Sequence, residues 1–278
     1  ISEFVWPGDE VIVFKPAYDC YEPAIISNGG NPVFMQMKGK EFRIDWEEFK
    51  AKLNDRTRMV VINSPHNPSG KVFSKEDMLE LQRCLENTNI LLLSDEAYEH
   101  ITFDGIPHES VAKYPGLASR SFLCASFGKT FHSTGWKMGY CAAPGHLMKE
   151  FQKIHEFNVF CVNHPMQRAL ATYLKHPEHY ESLGTFFQKK RDLFLNAISP
   201  SRFSYIPSQG TYFQLLDYSA ISSESDVELA KRLTIEKGLA SIPISAFNLE
   251  GEDNNQLRFC FAKTDETLLS AAEILNGI

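Results

Sequence analysis

The feature that most constrains the fold of this chain is a set of short, continuously apolar runs in its first half. They span residues 11–14, 59–62, 90–93 and 122–125, and turn-forming residues bound each of them. Strands that are buried on both faces of a parallel sheet have this pattern, because neither face meets water. The runs therefore predict an α/β fold with a mostly parallel central sheet and helices on both of its faces.

One helical segment lies between the second and the third of these runs. Residues 74–85 begin with Ser74, a residue type favoured at helix N-caps, and carry acidic residues in the first turn. Met78, Leu81 and Leu85 recur at the spacing that places apolar side chains on one helix face. This pattern predicts the crossover helix of a β-α-β unit.

The pattern changes after Pro144, where longer helical periodicities replace the apolar runs. Helices are predicted at residues 147–160, 166–174, 179–197 and 226–237, and in a last segment that carries Leu268, Ala272 and Leu275 on one face. Strands are predicted at residues 203–206, 211–216 and 256–262, with a further apolar run at 239–244. We therefore expect a large domain over residues 1–180 and a smaller α+β domain over residues 181–278.

The composition and charge of the chain limit the classes of protein to which it can belong. The chain has 278 residues, of which 43% are hydrophobic, and this suffices for the core of one large domain or two modest ones. No stretch approaches the roughly 20 consecutive apolar residues that a membrane helix needs, which argues against a membrane span. The formal charge of −7 leaves no basic surplus to neutralise phosphates, so nucleic acid is not expected as a partner. A small anionic ligand remains compatible with this charge.

The 6 cysteines are scattered singly along the chain. They form no CxxC pair and no cysteine–histidine cluster at zinc-ligand spacing, so no metal site is predicted. We expect buried thiols in a reducing compartment, which indicates a cytoplasmic protein. Residues 1–10 carry neither the basic region nor the apolar region of a signal peptide.

Polar residues follow each apolar run, at the carboxyl ends of the predicted strands. They lie at residues 16–18, 63–70, 94–98, 126–129 and 136–140. In open α/β sheets, ligands bind at this edge. Each group alone has an ordinary explanation, since Asn-Pro and Ser-Gly form turns, an aspartate can cap a helix and a lysine can lie in solvent.

Together these groups supply the chemistry that a pyridoxal 5'-phosphate (PLP) enzyme requires. Lys129 offers an amine for a Schiff base with the cofactor aldehyde, and Asp95 offers a carboxylate for the protonated ring nitrogen. A tyrosine hydroxyl and an asparagine amide at the same edge offer donors for the ring oxygen. Ser126, three residues before the lysine, and a second cation eight residues after it can reach the phosphate.

Four ordered segments carry a resemblance to a known family. They are NSPHNPSG at residues 63–70, SDEAY at 94–98, SFGKTF at 126–131 and GWKMGY at 135–140. They resemble the class I/II aminotransferases of PLP fold type I, nearest the kynurenine and methionine aminotransferase branch. The likeness runs in order along the whole chain, from PAYDCYEP at residues 16–23 to LRFCF at 257–261.

The resemblance implies roles for the residues that would contact the cofactor ring. Lys129 is similar to the Schiff-base lysine, which acts as general base and acid once a substrate has displaced it. Asp95 would pair with the pyridine nitrogen, Tyr98 and Asn67 would bond the ring's phenolic oxygen, and Tyr18 would stack on the ring face.

It also implies roles at the phosphate and at the substrate. Ser126 and Lys137 would bind the cofactor phosphate, while Asn63 and Arg258 would hold the substrate α-carboxylate. Residues 1–180 would then form the PLP-binding domain, and the protein would be a homodimer whose active sites take residues from both subunits.

The implied reaction is transamination between an L-amino acid, with a methionine, aromatic or kynurenine-like side chain, and a 2-oxo acid. Two alternatives stay open at this point. Elimination from cysteine S-conjugates, the β-lyase reaction, uses the same chemistry and differs only in a leaving group on Cβ. A non-catalytic PLP-binding sensor domain of a transcription regulator is the other alternative, and the acidic charge does not favour it.

Two departures from the family pattern accompany the resemblance. Ser69 stands where the family usually has threonine, a change that keeps the hydroxyl. Family members also have a longer N-terminus, with a glycine-containing helix start that binds the phosphate through backbone N–H groups. No such segment precedes Ile1, so we expect the chain to begin inside a longer protein.

Overall fold

The computed structural model describes all of residues 1–278. Its strands are β1 (Glu10–Lys15), β2 (Asn31–Gln36), β3 (Thr57–Asn63), β4 (Leu91–Asp95), β5 (Ser121–Ser126), β6 (Gly139–Ala142), β7 (Phe213–Asp217), β8 (Ile242–Pro243) and β9 (Gln256–Cys260). Its α-helices are α1 (Tyr21–Ile26), α2 (Trp46–Lys52), α3 (Lys75–Leu85), α4 (Pro115–Ala118), α5 (Phe127–Thr130), α6 (Gly145–Val159), α7 (His164–Tyr173), α8 (Glu178–Glu181), α9 (Leu183–Ala197), α10 (Asp226–Lys237) and α11 (Asp265–Asn276).

The larger of the two sheets has the strand order β2-β1-β3-β4-β5-β6. All its pairings are parallel except that of β5 with β6, which is antiparallel. Successive residues of the inner strands enter different cores: Ile12 and Val60 lie in one buried cluster, and Val11 and Val61 lie in another. The sheet is therefore buried on both faces, and the predicted mostly parallel α/β fold is confirmed.

The sequence predicted the four inner strands of this sheet but neither of its edge strands. β2 is only partly buried and has Pro32 as its second residue, which suits an edge position. β6 is four residues long and mostly exposed. A Cβ on its Gly139 would lie 2.5 Å from the carbonyl oxygen of Ala125, so a glycine lets β6 approach β5. The apolar run of β2 is only three residues long, at 33–35, and follows a proline, while β6 is short and begins with a glycine, so neither was predicted as a strand.

Two predicted helices occur close to their expected bounds. α3 begins after Ser74, which forms a capping box with Asp77. Its side chains Met78, Leu81 and Leu85 are buried, as expected for a crossover helix. α10 ends at Gly238, whose φ of 66° is in the left-handed region.

The smaller sheet is antiparallel, with the order β7-β9-β8. Along β9, Leu257 and Phe259 are buried on one face, while Arg258 is partly exposed on the other. The buried face packs with Leu268 and Leu275 of α11 in one hydrophobic cluster. A smaller antiparallel unit thus follows the large sheet, while the proposed domain boundary at residue 180 remains a prediction.

Two sequence expectations for this part of the chain are wrong. Residues 203–206 form no strand: only an isolated bridge joins Ser204 to Asp217, and Pro207, which lacks an N–H, follows directly. The single helix expected over residues 179–197 is divided at Ser182 into α8 and α9.

The burial expected for the cysteines is also wrong for three of them. All six are free thiols; Cys84 is buried, whereas Cys20, Cys161 and Cys260 are exposed. Cysteine is among the residue types that are most often buried, but the position of each cysteine in the fold decides whether its side chain is buried. Separately, none of the helices has both the length and the apolar character required to cross a membrane.

Candidate active site

The carboxyl ends of three neighbouring strands place polar side chains side by side. Asn63 is the last residue of β3, Asp95 the last of β4 and Ser126 the last of β5. The parallel register pairs Asn63 directly with Asp95. These residues line a cavity of about 630 Å³, at the edge where an open α/β sheet binds its ligand.

Both sheets contribute to this cavity. Its lining comprises Tyr18, Asp19, Asn63, Asn67, Asp95, Ala97, Tyr98, Cys124, Ala125, Ser126, Lys129, Phe213, Ile242, Ala246, Phe247 and Arg258. Every residue that the sequence selected for the site is among them except Lys137. Lys137 is exposed, with a φ of 56°, at the end of a short 3₁₀ turn over Thr134–Trp136.

Lys129 brings an amine without a polar partner into the cavity. It lies in α5, the short helix that directly follows β5. Its Nζ is 5.9 Å from the ring centres of both Tyr98 and Tyr212 and takes part in no ion pair. The side chain is only partly exposed, so this amine is held near the end of β5 and is available for chemistry.

The Asp95 carboxylate is the acidic centre of the cavity. Its Oδ2 accepts a hydrogen bond of 2.5 Å from the Tyr21 hydroxyl, and its Oδ1 accepts one of 3.0 Å from the N–H of Ala97. Burial raises the pKa of Asp95, while these two hydrogen bonds and the charge of Lys129 act to lower it. The carboxylate is therefore costly to ionise but is supplied with donors.

Tyr98 offers a phenol that stays protonated. Its ring meets that of Tyr212 edge to face, with centres 5.2 Å apart. Burial, and then the neighbouring Tyr212, raise the pKa of Tyr98 far above its usual value. A protonated phenol in the wall of the cavity is a hydrogen-bond donor at every physiological pH.

Arg258 reaches the cavity from β9 of the smaller sheet. Its Nη1 donates a hydrogen bond of 2.5 Å to Oδ1 of Asn67, in the loop after β3. The guanidinium carbon lies 4.0 Å from the ring centre of Phe213 and 4.7 Å from that of Phe247. Two aromatic rings and one hydrogen bond thus fix the planar group in place.

Asn63 makes its hydrogen bonds within the protein. Its Nδ2 donates to the carbonyl oxygen of Asp95 at 2.9 Å, and its Oδ1 accepts from the backbone N–H of Asn67 at 2.9 Å. The side chain therefore ties the end of β4 to the loop that carries Asn67. Its expected contact with a substrate carboxylate remains a prediction.

The sequence does not mark several residues of the site. Tyr21 lies inside the segment at residues 16–23 but has no role that the sequence indicates, and nothing in the sequence distinguishes Tyr212, Phe213 and Phe247 from core residues. All four are uncharged aromatic residues, which sequence alone assigns to the core. The only available signal was the place of Tyr21 within a segment that resembles the family.

His66 fixes the loop after β3 through two hydrogen bonds. Its Nδ1 is 2.6 Å from the Ser69 hydroxyl and its Nε2 is 3.0 Å from the carbonyl oxygen of Pro16. Burial lowers the pKa of His66 to about 4, although the bond to Pro16 acts in the opposite direction. The imidazole is therefore neutral near pH 7 and joins the loops after β1 and β3.

The polar groups at the cavity fit PLP as a cofactor. A lysine amine without a polar partner, a buried carboxylate and a protonated phenol match the aldehyde, ring nitrogen and ring oxygen of PLP. An arginine fork in the same cavity matches a carboxylate. Fold and site together define a PLP-dependent transferase of fold type I.

Comparison with known proteins identifies the family. The sequence model described as aminotransferase class I and II matches residues 2–275. The chain therefore belongs to the class I and II aminotransferases, which are PLP-dependent transaminases. The family, enzyme class and cofactor that the sequence predicted are confirmed.

Individual relatives agree with this assignment. A methionine aminotransferase of Escherichia coli (strain K12) is 47% identical over 100% of this chain and 72% of its own length. A kynurenine–oxoglutarate transaminase of Dictyostelium discoideum is 35% identical over 99% of this chain and 72% of its own. A crystal structure from Escherichia coli, described as having a methionine aminotransferase function, superimposes with a TM-score of 0.97 at 46% identity. It covers 100% of this chain and 74% of its own.

The buried His66 should make the stability of the folded chain depend on pH. Its folded pKa of about 4 lies below the roughly 6.5 of an unfolded chain, so the unfolded state binds more protons between these values. The free energy of unfolding should fall by up to ~3 kcal/mol as the pH drops through this window. Urea unfolding at a series of pH values measures it.

His66→Gln should flatten this dependence, because glutamine does not titrate. His146→Gln, which replaces an exposed imidazole, is the matched control and should keep the wild-type slope. Equal slopes for His66→Gln and the wild type would contradict the prediction.

Proposed function

We propose that this transaminase moves an amino group between an L-amino acid, with a methionine, aromatic or kynurenine-like side chain, and a 2-oxo acid. The observation that carries the proposal is the meeting of Lys129, Asp95 and Arg258 in one cavity. The substrates named for the relatives, methionine and kynurenine, support the choice of side chain. So does the apolar part of the lining, to which Phe213 and Ile242 contribute.

The cofactor would be held by residues of the large sheet. In this proposal Asp95 pairs with the ring nitrogen, Tyr98 and Asn67 donate to the ring oxygen, and Tyr18 covers a ring face. When bound, PLP supplies an electron sink that makes loss of the substrate Cα proton accessible near neutral pH. The rings of Tyr18 and Tyr21 are in a T-shaped contact with their centres 5.8 Å apart, which supports a fixed position for the stacking ring.

Ser126 and Lys137 are the proposed phosphate contacts. Ser126 lines the cavity, and its place at the end of β5 supports this role. Lys137 lies outside the lining, so its contribution requires its long side chain to reach towards the cavity.

Lys129 is the proposed covalent anchor and the proton carrier. Its Nζ would take up the proton that leaves the substrate Cα, as general base, and would then donate it to C4′ of the cofactor, as general acid. The absence of an ion pair at this amine supports the role, because no partner has to be displaced before the amine can react.

Arg258 is the proposed ligand of the substrate α-carboxylate. One N–H of its fork is bonded to Asn67, and the others remain for a bidentate contact. This fixes the Cα of the amino acid with respect to Lys129.

Reductive labelling tests the anchor. Borohydride treatment of the PLP-loaded protein should fix the cofactor on a single peptide, the one that contains Lys129. Lys129→Arg should abolish the label and lower turnover by roughly 10²- to 10⁴-fold or more, because a guanidinium cannot act as the base. Lys71→Arg is the control, since Lys71 lies outside the cavity and bonds the carbonyl oxygen of Phe42. A label on any other lysine would refute the assignment.

Arg258 variants test substrate recognition. Arg258→Ala should lower kcat/KM for every amino acid by roughly a hundredfold to several thousandfold, about 3–5 kcal/mol, because a buried ion pair loses one partner. Arg258→Lys should already be a poor substitute, since it lacks the planar fork. PLP absorbance should hardly change. Arg83→Ala, at an exposed position of α3, serves as the control. A variant that transaminates normally, or that loses PLP, would count against the role.

We also infer a homodimer. Phe157 and Phe160, at the end of α6 and just after it, are 86% and 81% exposed, and large exposed aromatic groups mark subunit contacts. Light scattering should give twice the 31.6 kDa of one chain. Phe160→Asp should shift the mass towards a single chain. Ile235→Asp, at an 82% exposed position of α10, should not. A single-chain mass for the wild type would refute the dimer.

A further inference from the structure

The Tyr21 hydroxyl is bonded to the carboxylate on which the proposed chemistry depends. Tyr21 is the first residue of α1, and its hydroxyl is 2.5 Å from Oδ2 of Asp95. We propose that Tyr21 is a positioning residue: its hydroxyl keeps the Asp95 carboxylate ionised and oriented so that it can hold the cofactor's ring nitrogen protonated. This inference rests on the proposed pairing of Asp95 with that nitrogen.

The packing of the Tyr21 ring holds its hydroxyl in place. The residue is 6% exposed and belongs to the same buried cluster as Val13 and Ile25. Its hydroxyl makes no hydrogen bond other than that to Asp95. Hydrogen bonds to a charged acceptor are about twice as strong as neutral ones, and fixed rings lose little entropy in making them. Tyr21 can therefore serve as a preorganised donor to Asp95.

The other groups that face Asp95 do not replace this donor. The ionisable side chains around the carboxylate are Tyr18, Cys20, Tyr21, Glu96, Tyr98, Cys124 and Lys129. Glu96 acts to raise the pKa of Asp95, and of the charged groups only Lys129 acts to lower it. Lys129 is also the residue whose charge must change during the proposed reaction. The neutral Tyr21 donor is constant through all of its steps.

The direction in which loss of the Tyr21 hydroxyl moves the pKa of Asp95 follows from the groups that raise and lower this pKa. Burial raises the pKa of Asp95, and the Tyr21 hydrogen bond opposes this rise. Without the hydroxyl, the protonated carboxyl persists to higher pH. A protonated carboxyl cannot pair with a protonated ring nitrogen, so cofactor affinity is lost as the pH falls. In Tyr21→Phe this loss occurs at a higher pH than in the wild type.

The experiment compares Tyr21→Phe with the wild type in two measurements. The first is the dissociation constant of PLP over a series of pH values. We expect affinity near neutral pH to fall roughly tenfold to a hundredfold, with the profile displaced to higher pH. The second is the pKa of Asp95 in the cofactor-free protein, from its carboxyl ¹³C resonance. This pKa should rise in the variant.

Tyr114→Phe is the matched control. Tyr114 is also a buried tyrosine that donates to a carboxylate, at 2.7 Å from Glu109, but it lies outside the cavity. Its loss should leave both measurements unchanged. If Tyr21→Phe does not fold, an ortho-fluorinated tyrosine at position 21 keeps the ring and makes its hydroxyl a stronger donor. This replacement should displace the PLP profile to lower pH.

Asp95→Asn distinguishes a failure of the proposed role of Tyr21 from a failure of the proposed pairing of Asp95 with the ring nitrogen. If Asp95→Asn weakens PLP binding and turnover while neither Tyr21 replacement moves the pH profile or the Asp95 pKa, the role of Tyr21 is wrong and the proposed function stands. If Asp95→Asn changes neither binding nor turnover, the ring-nitrogen pairing fails and the inference falls with it. Displacements in opposite directions for the two Tyr21 replacements support the inference.

Discussion

An ionised carboxylate at the end of a buried strand is costly unless polar groups replace the water that it has lost. Asp95 is in this position, and two donors reach its carboxylate: the Tyr21 hydroxyl of α1 and the N–H of Ala97 in the turn after β4. The Asn63 amide of β3 bonds the backbone carbonyl oxygen of Asp95 and so fixes the end of β4. The loops around the cavity are thus organised by the requirements of one acidic group.

The second sheet is fixed to this edge by packing as well as by polar contact. Its hydrophobic cluster contains Phe259 and Phe261 together with Tyr98, Ile101 and Phe103, which follow β4 in the chain. The wall of the cavity is therefore also part of the smaller unit's core. Arg258 can meet the loop after β3 only because this shared core holds β9 in place.

The sequence predicted those parts of the fold in which adjacent residues share the same environment. Inner strands such as β3 and β4 are buried on both faces, so each is a continuous apolar run. β2 and β6 lie at the edges, and their shorter apolar runs adjoin a proline and a glycine, residues that are typical of turns. The site was predictable where charged residues follow strands, as at Asp95 and Lys129. Tyr21 was not, because its hydrogen bond joins residues 74 positions apart and depends on how α1 packs.

The polar contacts of Asn63 and Asn67 bear on the proposed recognition of the substrate carboxylate by Arg258. The side-chain oxygen of Asn63 accepts a hydrogen bond from the backbone N–H of Asn67, and the side-chain oxygen of Asn67 accepts one from Arg258. The two amides therefore form a chain that ends on the guanidinium and fixes its rotation. Arginine has five N–H donors in one plane, so it can satisfy Asn67 and still offer a fork to a carboxylate, while the rings of Phe213 and Phe247 pack on the guanidinium. A lysine ammonium in that place has three N–H donors but no planar fork, so it could not bind the carboxylate bidentately while it bonds Asn67, and we expect weaker discrimination between an amino acid and the corresponding amine.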